Sequence, residues 1–204
     1  SVMFTDFKDF SRISEILTPE ELIRELDYCF AAFDTITLKY GIEKIKTMGD
    51  SYLGVSGLNN EAANHTLSIT LAAMEIQSFM HKYMNDKKAV GELYFDNKIG
   101  IHTGDIISGV VGKTKFSFDI WGPTVNIASR MQSSCEPGKI NISESTKKKI
   151  EPYFIFTSRG KITAKHQQEL NMYYIDRILP EFCEDENGLV PNQKLLRKAG
   201  FFTE

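Results

Sequence analysis

Apolar residues recur every three or four positions in two long stretches of the chain, and this spacing predicts two amphipathic helices. The first helix begins at Thr18-Pro19, where a capping hydroxyl precedes a proline, and it ends before Gly41. The second helix covers about residues 61–88. The predicted inward positions are Leu22, Leu26, Cys29, Phe33, Ile36 and Tyr40 in the first helix, and Leu67, Leu71, Met74, Phe79 or Ile76, and Met80 in the second.

Short apolar runs separated by turn residues predict strands around these helices. One strand opens the chain, and two more, over about residues 42–48 and 52–56, flank the turn Gly49-Asp50. Residues 95–103 and 106–111 are predicted to form a pair of strands. The order strand, helix, hairpin, helix, strand is the βαββαβ unit of ferredoxin-like folds. We therefore expect an α+β fold in which helices pack on a mainly antiparallel sheet.

The composition agrees with one globular domain. The chain has 204 residues, of which 42% are hydrophobic and 25% are charged, so an intrinsically disordered chain is excluded. The periodicity weakens near Pro180, which predicts one domain over residues 1–178 and a loosely attached tail over residues 179–204. The net charge of −3 provides no basic field for binding nucleic acid, so no nucleic-acid partner is expected.

Cysteine usage and apolar run lengths bear on the cellular location. Cys29, Cys135 and Cys183 are scattered and odd in number, which is typical of reduced thiols in a cytoplasmic protein. No apolar run approaches the roughly 20 residues that a membrane-spanning helix needs. Because the chain opens directly in an apolar strand, we expect that a sensory, regulatory or membrane-bound segment precedes it in a larger protein.

Two common kinds of site fit the sequence poorly. A phosphate-binding P-loop ending at Gly112-Lys113-Thr114 would need a glycine five residues before Gly112, and that residue is Ile107. A turn between two strands is the better interpretation. The four histidines also lack the spacing of metal ligands, so a zinc site is not expected. They are His65, His81, His102 and His166.

Two aspartates are the first candidates for chemistry. Asp6 directly follows the first strand, and Asp50 lies in the hairpin turn. Taken singly, each is typical of a turn or cap residue. In a ferredoxin-like sheet, however, the first strand lies beside the hairpin, so the two carboxylates can meet. They would repel each other unless a cation joined them, and hard oxygen ligands of this kind suit Mg²⁺ or Mn²⁺.

A predicted helix starting at Pro123 carries the second pair of candidates. Asn126 and Arg130 are four residues apart and therefore share one helical face. An arginine with an asparagine one turn earlier can hold an anion and a hydroxyl group together. Either residue alone would be interpreted as an ordinary surface side chain.

Three segments resemble signature segments of the class III nucleotidyl cyclase catalytic domain, in the family's order and at about its spacing. They are residues 4–11 (FTDFKDFS), 43–50 (EKIKTMGD) and 118–131 (FDIWGPTVNIASRM). The third segment is highly specific, and the resemblance covers roughly residues 1–177. It implies an adenylyl cyclase, a lyase that converts ATP to 3′,5′-cyclic AMP and pyrophosphate.

The resemblance also implies roles for individual residues. Asp6 and Asp50 would hold two divalent cations, Mg²⁺ or Mn²⁺, with the backbone carbonyl of Phe7 as a further ligand. The other implied assignments are Lys46 and Asp119 to the purine, Asn126 to the ribose, Arg130 to the reacting phosphate, Lys165 to the terminal phosphates, and Phe10 and Ser11 to substrate binding.

The chemistry of the purine agrees with ATP as the substrate. Adenine offers an acceptor at N1 and a donor at N6, and Lys46 and Asp119 supply one donor and one acceptor. Guanine reverses both edges. Each mismatch leaves a buried polar group unpaired at a cost of about 1–3 kcal/mol. As the resemblance implies, guanylyl cyclases carry different residues at these two positions.

In the family that the chain resembles, each site lies between two chains, with the metal ligands on one and the purine-reading residues and arginine on the other. This chain carries both sets, which implies a head-to-tail homodimer with two equivalent sites and an inactive monomer. Two departures from the family's pattern are Asp9, where many relatives have glycine, and His166-Gln167-Gln168, where the family often continues with glycines.

Two other functions fit the sequence less well. A diguanylate cyclase has a similar topology but needs a Gly-Gly-Asp/Glu-Glu-Phe turn, and Met48-Gly49-Asp50-Ser51-Tyr52 lacks its first glycine and second acid. A cyclase-like module without activity usually loses a metal-binding aspartate or the arginine, and this chain keeps both. An assay with Mn²⁺ and ATP distinguishes a catalytic domain from such a module.

Overall fold

A computed structural model describes residues 1–58, 64–163 and 169–201 of the chain. The strands are β1 (Val2–Lys8), β2 (Glu43–Met48), β3 (Ser51–Val55), β4 (Asp96–His102), β5 (Ile107–Val111), β6 (Ser117–Trp121), β7 (Ile140–Ser143), β8 (Phe154–Thr163) and β9 (Glu169–Ile178). The helices are α1 (Phe10–Ser14), α2 (Pro19–Lys39), α3 (His65–Ala89), α4 (Pro123–Ser133), α5 (Glu144–Ile150) and α6 (Gln193–Ala199), with a 3₁₀ turn at Pro180–Phe182.

Seven of these strands form one sheet in the order β2-β3-β1-β4-β7-β9-β8. The only parallel neighbours among them are β4 and β7, and the other pairs are antiparallel. The first four strands with α2 and α3 as their connections form the βαββαβ unit, so the predicted fold is confirmed. In this order β1 lies between β3 and β4, at the centre of the unit.

The pairing predicted for residues 95–103 and 106–111 is wrong. Strand β4 pairs with β1 on one side and with β7 on the other, so neither of its edges is open to β5. Strand β5 instead pairs with β6, with Ile107 opposite Trp121, in a separate two-stranded sheet that we call the β5–β6 arm.

Helices α2 and α3 cover one face of the sheet. Helix α2 begins with a capping box, in which the Thr18 side chain accepts from the Glu21 N–H and the Glu21 carboxylate accepts from the Thr18 N–H. Its apolar stripe, with Cys29 and Phe33 fully buried, packs in one cluster with the α3 residues Leu71 and Met80. This face therefore holds most of the apolar core.

Helix α4 covers part of the opposite face, above β1 and β4. A Cβ atom at Gly100 of β4 would lie 2.0 Å from the backbone nitrogen of Gln132, so only glycine allows the helix to approach the strand this closely. A smaller apolar cluster that includes Phe4, Leu53 and Ala128 lies on this face.

The segment after β9 packs more firmly than the sequence suggested. Phe182, Leu195 and Ala199 are buried in the main core, and the Ser68 hydroxyl of α3 donates to the Ala199 carbonyl at 3.4 Å. The expectation of loose attachment is wrong, because a few well-separated anchors fix this segment without producing a long apolar pattern. Among the helices in the described ranges, none combines the length and apolar character needed to cross a membrane.

Candidate active site

The two candidate metal-binding aspartates come together at one end of β1. Strands β1 and β3 are antiparallel with Thr5 opposite Tyr52, so Asp6 lies beside the β2–β3 turn that carries Asp50. The side chains of Asp6 and Asp50 are close enough to hydrogen-bond when one of them is protonated. The sheet register therefore produces the meeting of carboxylates that the sequence predicts.

Burial and the neighbouring carboxylate raise the pKa of Asp6 to about 7. Burial is the larger cause, and the hydrogen bond and charge of Asp50 add to it, while Lys98 and Gln132 act in the opposite direction. A pair of carboxylates that repel each other in this way is a suitable ligand set for a hard divalent cation.

Other ligands would have to come from the backbone, water or substrate. Within residues 1–58, 64–163 and 169–201, no three His, Cys, Asp or Glu side chains gather closely enough to hold a metal ion. The backbone at Phe7 is well fixed, because the Phe7 ring is buried and stacks on Phe95 with the ring centres 4.7 Å apart. The Phe7 carbonyl is therefore on a rigid part of β1, next to Asp6.

Lys46 and Asp119 form the second group that the structure brings together. The Lys46 Nζ lies 2.5 Å from the Asp119 Oδ2 and bridges β2 of the large sheet to β6 of the arm. This hydrogen bond lowers the pKa of the Asp119 carboxyl. Strand β2 has a register shift between Lys44 and Lys46, and an irregularity of this kind changes the direction of the side chain that follows it.

Asn126 and Arg130 lie on a different surface. The buried residues of α4 are Thr124, Ala128, Met131 and Gln132. At about 100° per residue, the Asn126–Arg130 face is roughly opposite the middle of this buried stripe. Asn126 is exposed and Arg130 is half-buried. Within one chain these two side chains are therefore directed away from the sheet that carries Asp6.

The remaining predicted site residues include Phe10 and Ser11 of α1, which follow Asp9. Asp9 occupies the N-cap position of α1 with a φ of +55° and makes no side-chain capping hydrogen bond. It is the single non-glycine residue with positive φ in the described ranges. Aspartate tolerates this region better than most residues, but glycine fits it best. The Phe10 ring is half-buried, with its centre 5.8 Å from that of Phe95, and Ser11 is exposed. Lys165 lies outside the described residues, as do His166-Gln167-Gln168.

The sequence analysis did not identify Gln132. Its Nε2 donates a hydrogen bond to the Asp6 Oδ2 at 3.2 Å, across from α4 to β1. The sequence does contain a feature that could have identified it. Residue 132 falls on the same helical stripe as Ala128 and Met131, where apolar residues are expected, yet it is a glutamine. A polar side chain in a buried stripe indicates a specific partner.

The comparisons with known proteins point to one family. The model of the adenylate and guanylate cyclase catalytic domain matches residues 1–177. The chain is 31% identical over 175 residues to an adenylate cyclase of Mycobacterium tuberculosis, with 86% of this chain and 39% of the relative covered. It is 35% identical over 179 residues to a receptor-type guanylate cyclase of Caenorhabditis elegans, with 86% and 16% covered. The chain thus spans less than half the length of either relative.

A solved structure gives the same result. The adenylyl cyclase CyaB of P. aeruginosa superposes with a TM-score of 0.80 at 27% identity, covering 85% of this chain and 91% of that one. The predicted resemblance is therefore confirmed at the level of sequence and fold. With its family model, its relatives and its fold in agreement, the chain belongs to the class III adenylyl and guanylyl cyclase catalytic domain family.

Proposed function

We propose that this domain converts ATP to 3′,5′-cyclic AMP and pyrophosphate in the cytoplasm. The observation that carries the choice of ATP is the Lys46–Asp119 pair, which puts one donor and one acceptor side by side. Adenine replaces this internal bond with two of its own, because its N1 accepts from Lys46 and its N6 amino group donates to Asp119. Guanine would set its N1–H against the lysine and its O6 against the carboxylate.

Asp6 and Asp50, with the Phe7 carbonyl, would hold two divalent cations, Mg²⁺ or Mn²⁺. Such cations lower the pKa of the ribose 3′-hydroxyl and offset the charge of the triphosphate. The support for this assignment is the close approach of the two carboxylates and the raised pKa of Asp6. The 3′-oxygen forms a bond to the α-phosphorus as the bond to pyrophosphate breaks, and the hydroxyl proton passes to Asp6 or to water.

Asn126 would orient the ribose, and Arg130 would stabilise the charge that develops on the α-phosphate. Both lie on the side of α4 turned away from Asp6 in their own chain, which supports a site shared between two chains. We infer a head-to-tail homodimer in which each site combines the aspartates of one copy with the purine-reading residues, Asn126 and Arg130 of the other.

The β5–β6 arm supports this assembly. Ile107, Val110 and Phe116 are 70%, 62% and 76% exposed, which is a high exposure for three large apolar side chains on one short hairpin. The Asp119 of the same hairpin belongs to the purine-reading pair, so the apolar surface adjoins the substrate site. A second copy of this chain is the occupant that we propose for it. The role of Lys165 in binding the terminal phosphates remains a prediction.

The guanylyl cyclase alternative has a direct test, since relatives of both kinds are similar to this chain. The purified domain is incubated with Mn²⁺ and either ATP or GTP, and the cyclic products are measured by mass spectrometry. We expect a preference for ATP, and the double substitution Lys46→Glu and Asp119→Asn should shift the preference toward GTP by roughly 10- to 100-fold. A wild-type preference for GTP would overturn the assignment.

Mixed dimers test the shared site. Asp50→Ala and Arg130→Ala homodimers should both be inactive, because each lacks one half of every site. After subunit exchange in a 1:1 mixture, half of the dimers are mixed and each has one complete site, so about a quarter of the wild-type specific activity should return. If the mixture stays inactive although mass spectrometry shows mixed dimers, the two halves do not come from different chains.

A further inference from the structure

Gln132 is held in place by the fold and reaches the candidate metal site. Its side chain is 6% exposed, and its Nε2 lies 3.2 Å from the Asp6 Oδ2. The backbone around it has little freedom, because Gly100 of β4 lies directly beneath it and the Asn141 Nδ2 donates to the Met131 carbonyl at 2.8 Å. The donor therefore approaches Asp6 from a fixed direction.

We propose that Gln132 is a positioning residue that orients the Asp6 carboxylate for a divalent cation in its own chain. This proposal rests on the metal site described under the proposed function. An amide N–H that donates to one carboxylate oxygen fixes the plane of the carboxylate and leaves the remaining lone pairs for a cation. A neutral donor also adds no positive charge, in contrast to Lys98, which is opposite Asp6 on β4.

The position of Gln132 on the helix gives α4 two separate tasks. Gln132 is two residues, or about 200°, from Arg130, so the two side chains leave α4 on nearly opposite sides. In the head-to-tail dimer, the side of α4 that carries Arg130 contributes to the site that holds the partner's aspartates. The side that carries Gln132 contributes to the site that holds this chain's own Asp6. The effect of Gln132 should therefore follow the chain that supplies the aspartates.

The first experiment measures metal binding without catalysis. Free Mn²⁺ is followed by electron paramagnetic resonance during titration of the full chain, alone and with 3′-deoxy-ATP, which cannot cyclise. We expect Gln132→Met to raise the Mn²⁺ dissociation constant roughly tenfold or more, as is usual when a hydrogen-bond partner of a ligand is lost. An unchanged dissociation constant in a folded Gln132→Met protein would overturn the proposal.

Gln77→Met is the matched control. Gln77 on α3 is also 6% exposed, and no hydrogen-bond partner for its amide is found among the described residues. The same change of side chain there should leave Mn²⁺ binding unaltered. If Gln132→Met fails to fold, Gln132→Asn keeps the amide but shortens the side chain by one methylene, which withdraws the donor from Asp6. The expected loss of affinity is the same.

The second experiment locates the effect in one chain of a mixed dimer. In the Asp50→Ala and Arg130→Ala mixture, the one complete site takes its aspartates from the Arg130→Ala chain. Adding Gln132→Met to that chain should raise the Mn²⁺ concentration for half-maximal activity roughly tenfold. Adding it to the Asp50→Ala chain should not, and an equal effect from either chain would contradict positioning of Asp6.

The two experiments keep this proposal separate from the proposed function. A domain that makes no cyclic nucleotide still gives the Mn²⁺ titration, so a weaker Gln132→Met affinity would support the role of Gln132 even if the assigned reaction failed. A restored activity in mixed dimers with unchanged Mn²⁺ dependence would support the shared site and reject the role of Gln132.

Discussion

The two faces of the central sheet differ in what their side chains are used for. The face under α2 and α3 is packed with apolar side chains such as Phe33 of α2, and the predicted site residues whose side chains join this cluster, Phe7 and Phe10, bring no polar group into it. The face under α4 has a smaller apolar cluster, and on it a half-buried Asp6 lies next to Asp50 and Gln132. Under the proposed function, one face stabilises the domain, and the repulsion between the two carboxylates on the other face is relieved when they bind cations.

The largest effect that tests this contrast is expected at Asp50. Asp50→Asn removes a proposed metal ligand, and the loss of a catalytic group typically lowers kcat on the order of 10⁴-fold. The same change removes the repulsion between Asp50 and Asp6, so stability in the absence of metal should stay the same or rise. Cyclase assays and urea unfolding measure the two quantities, and a large loss of stability would remove the distinction between the faces.

Phe33→Ala should produce the reverse result. Phe33 is fully buried and packs edge-on against Tyr52 at 5.8 Å, so its truncation should destabilise the domain by about 3–5 kcal/mol. Mn²⁺ binding by the fraction that remains folded should be unchanged. Urea titration with and without Mn²⁺ tests this, and a selective loss of metal affinity would show that the two faces are not independent.

The β5–β6 arm, which packs against the second face through Ile120 of β6, provides a third test. Ile107→Glu places a charge in the surface proposed for the second copy, which should weaken dimerisation roughly 10- to 100-fold. Unfolding of the monomer should be unaffected, because Ile107 is mostly exposed. Analytical ultracentrifugation measures the assembly. Leu38→Glu on α2 is a control of similar exposure that should leave the dimer intact.

The pH dependence of the metal-free domain sharpens the comparison at Asp6. Its pKa is raised to about 7 when folded, against a usual value of 3.8, so the unfolded chain loses this proton more easily. The stabilising contribution of the protonated carboxyl is therefore complete below pH 4 and is lost as the pH rises through 7. Urea unfolding should therefore give a lower free energy of unfolding at pH 8 than at pH 5.5 in the wild type. The difference should be smaller in Asp50→Asn, and Mn²⁺ should restore the stability of the wild type at pH 8.

The smallest effect is expected at Asp9. Its carboxylate is 3.8 Å from Lys8, and both side chains are about half exposed. Asp9→Asn keeps a residue that tolerates positive φ and removes only the charge, so the KM for ATP should fall by a few-fold. Asp9→Gly removes the charge and the backbone constraint together. If the two variants have the same KM, charge alone accounts for the effect.

The sequence predicted the parts of this molecule that depend on local pattern. The stripe from Leu22 to Tyr40 and the cap at Thr18 were sufficient for α2, and the order of elements was sufficient for the βαββαβ unit. The pairing of β5 with β6 was missed, because adjacency in the chain favoured β4, whose two edges are occupied by strands distant in sequence.

Prediction of the site was limited in the same way, by contacts between segments that are distant in sequence. Asp6 and Asp50 could be placed together because the fold brings the end of β1 to the hairpin turn. The contact of Gln132 with Asp6 joins residues 126 positions apart, and it depends on how closely α4 approaches β4. No pattern within either segment specifies that distance.

The close approach at Gly100 has a consequence for how variation in this domain should be interpreted. The methyl group of an alanine at that position would overlap the backbone of α4 and push the helix away from the strand. Gly100→Ala would therefore displace Arg130 and Gln132 together. A mutational screen for activity would then identify Gly100 as a catalytic residue, although it lies within a strand and takes no part in the reaction. For the same reason, a residue larger than glycine at position 100 requires a change in α4 that moves the Gln132 backbone away from the strand.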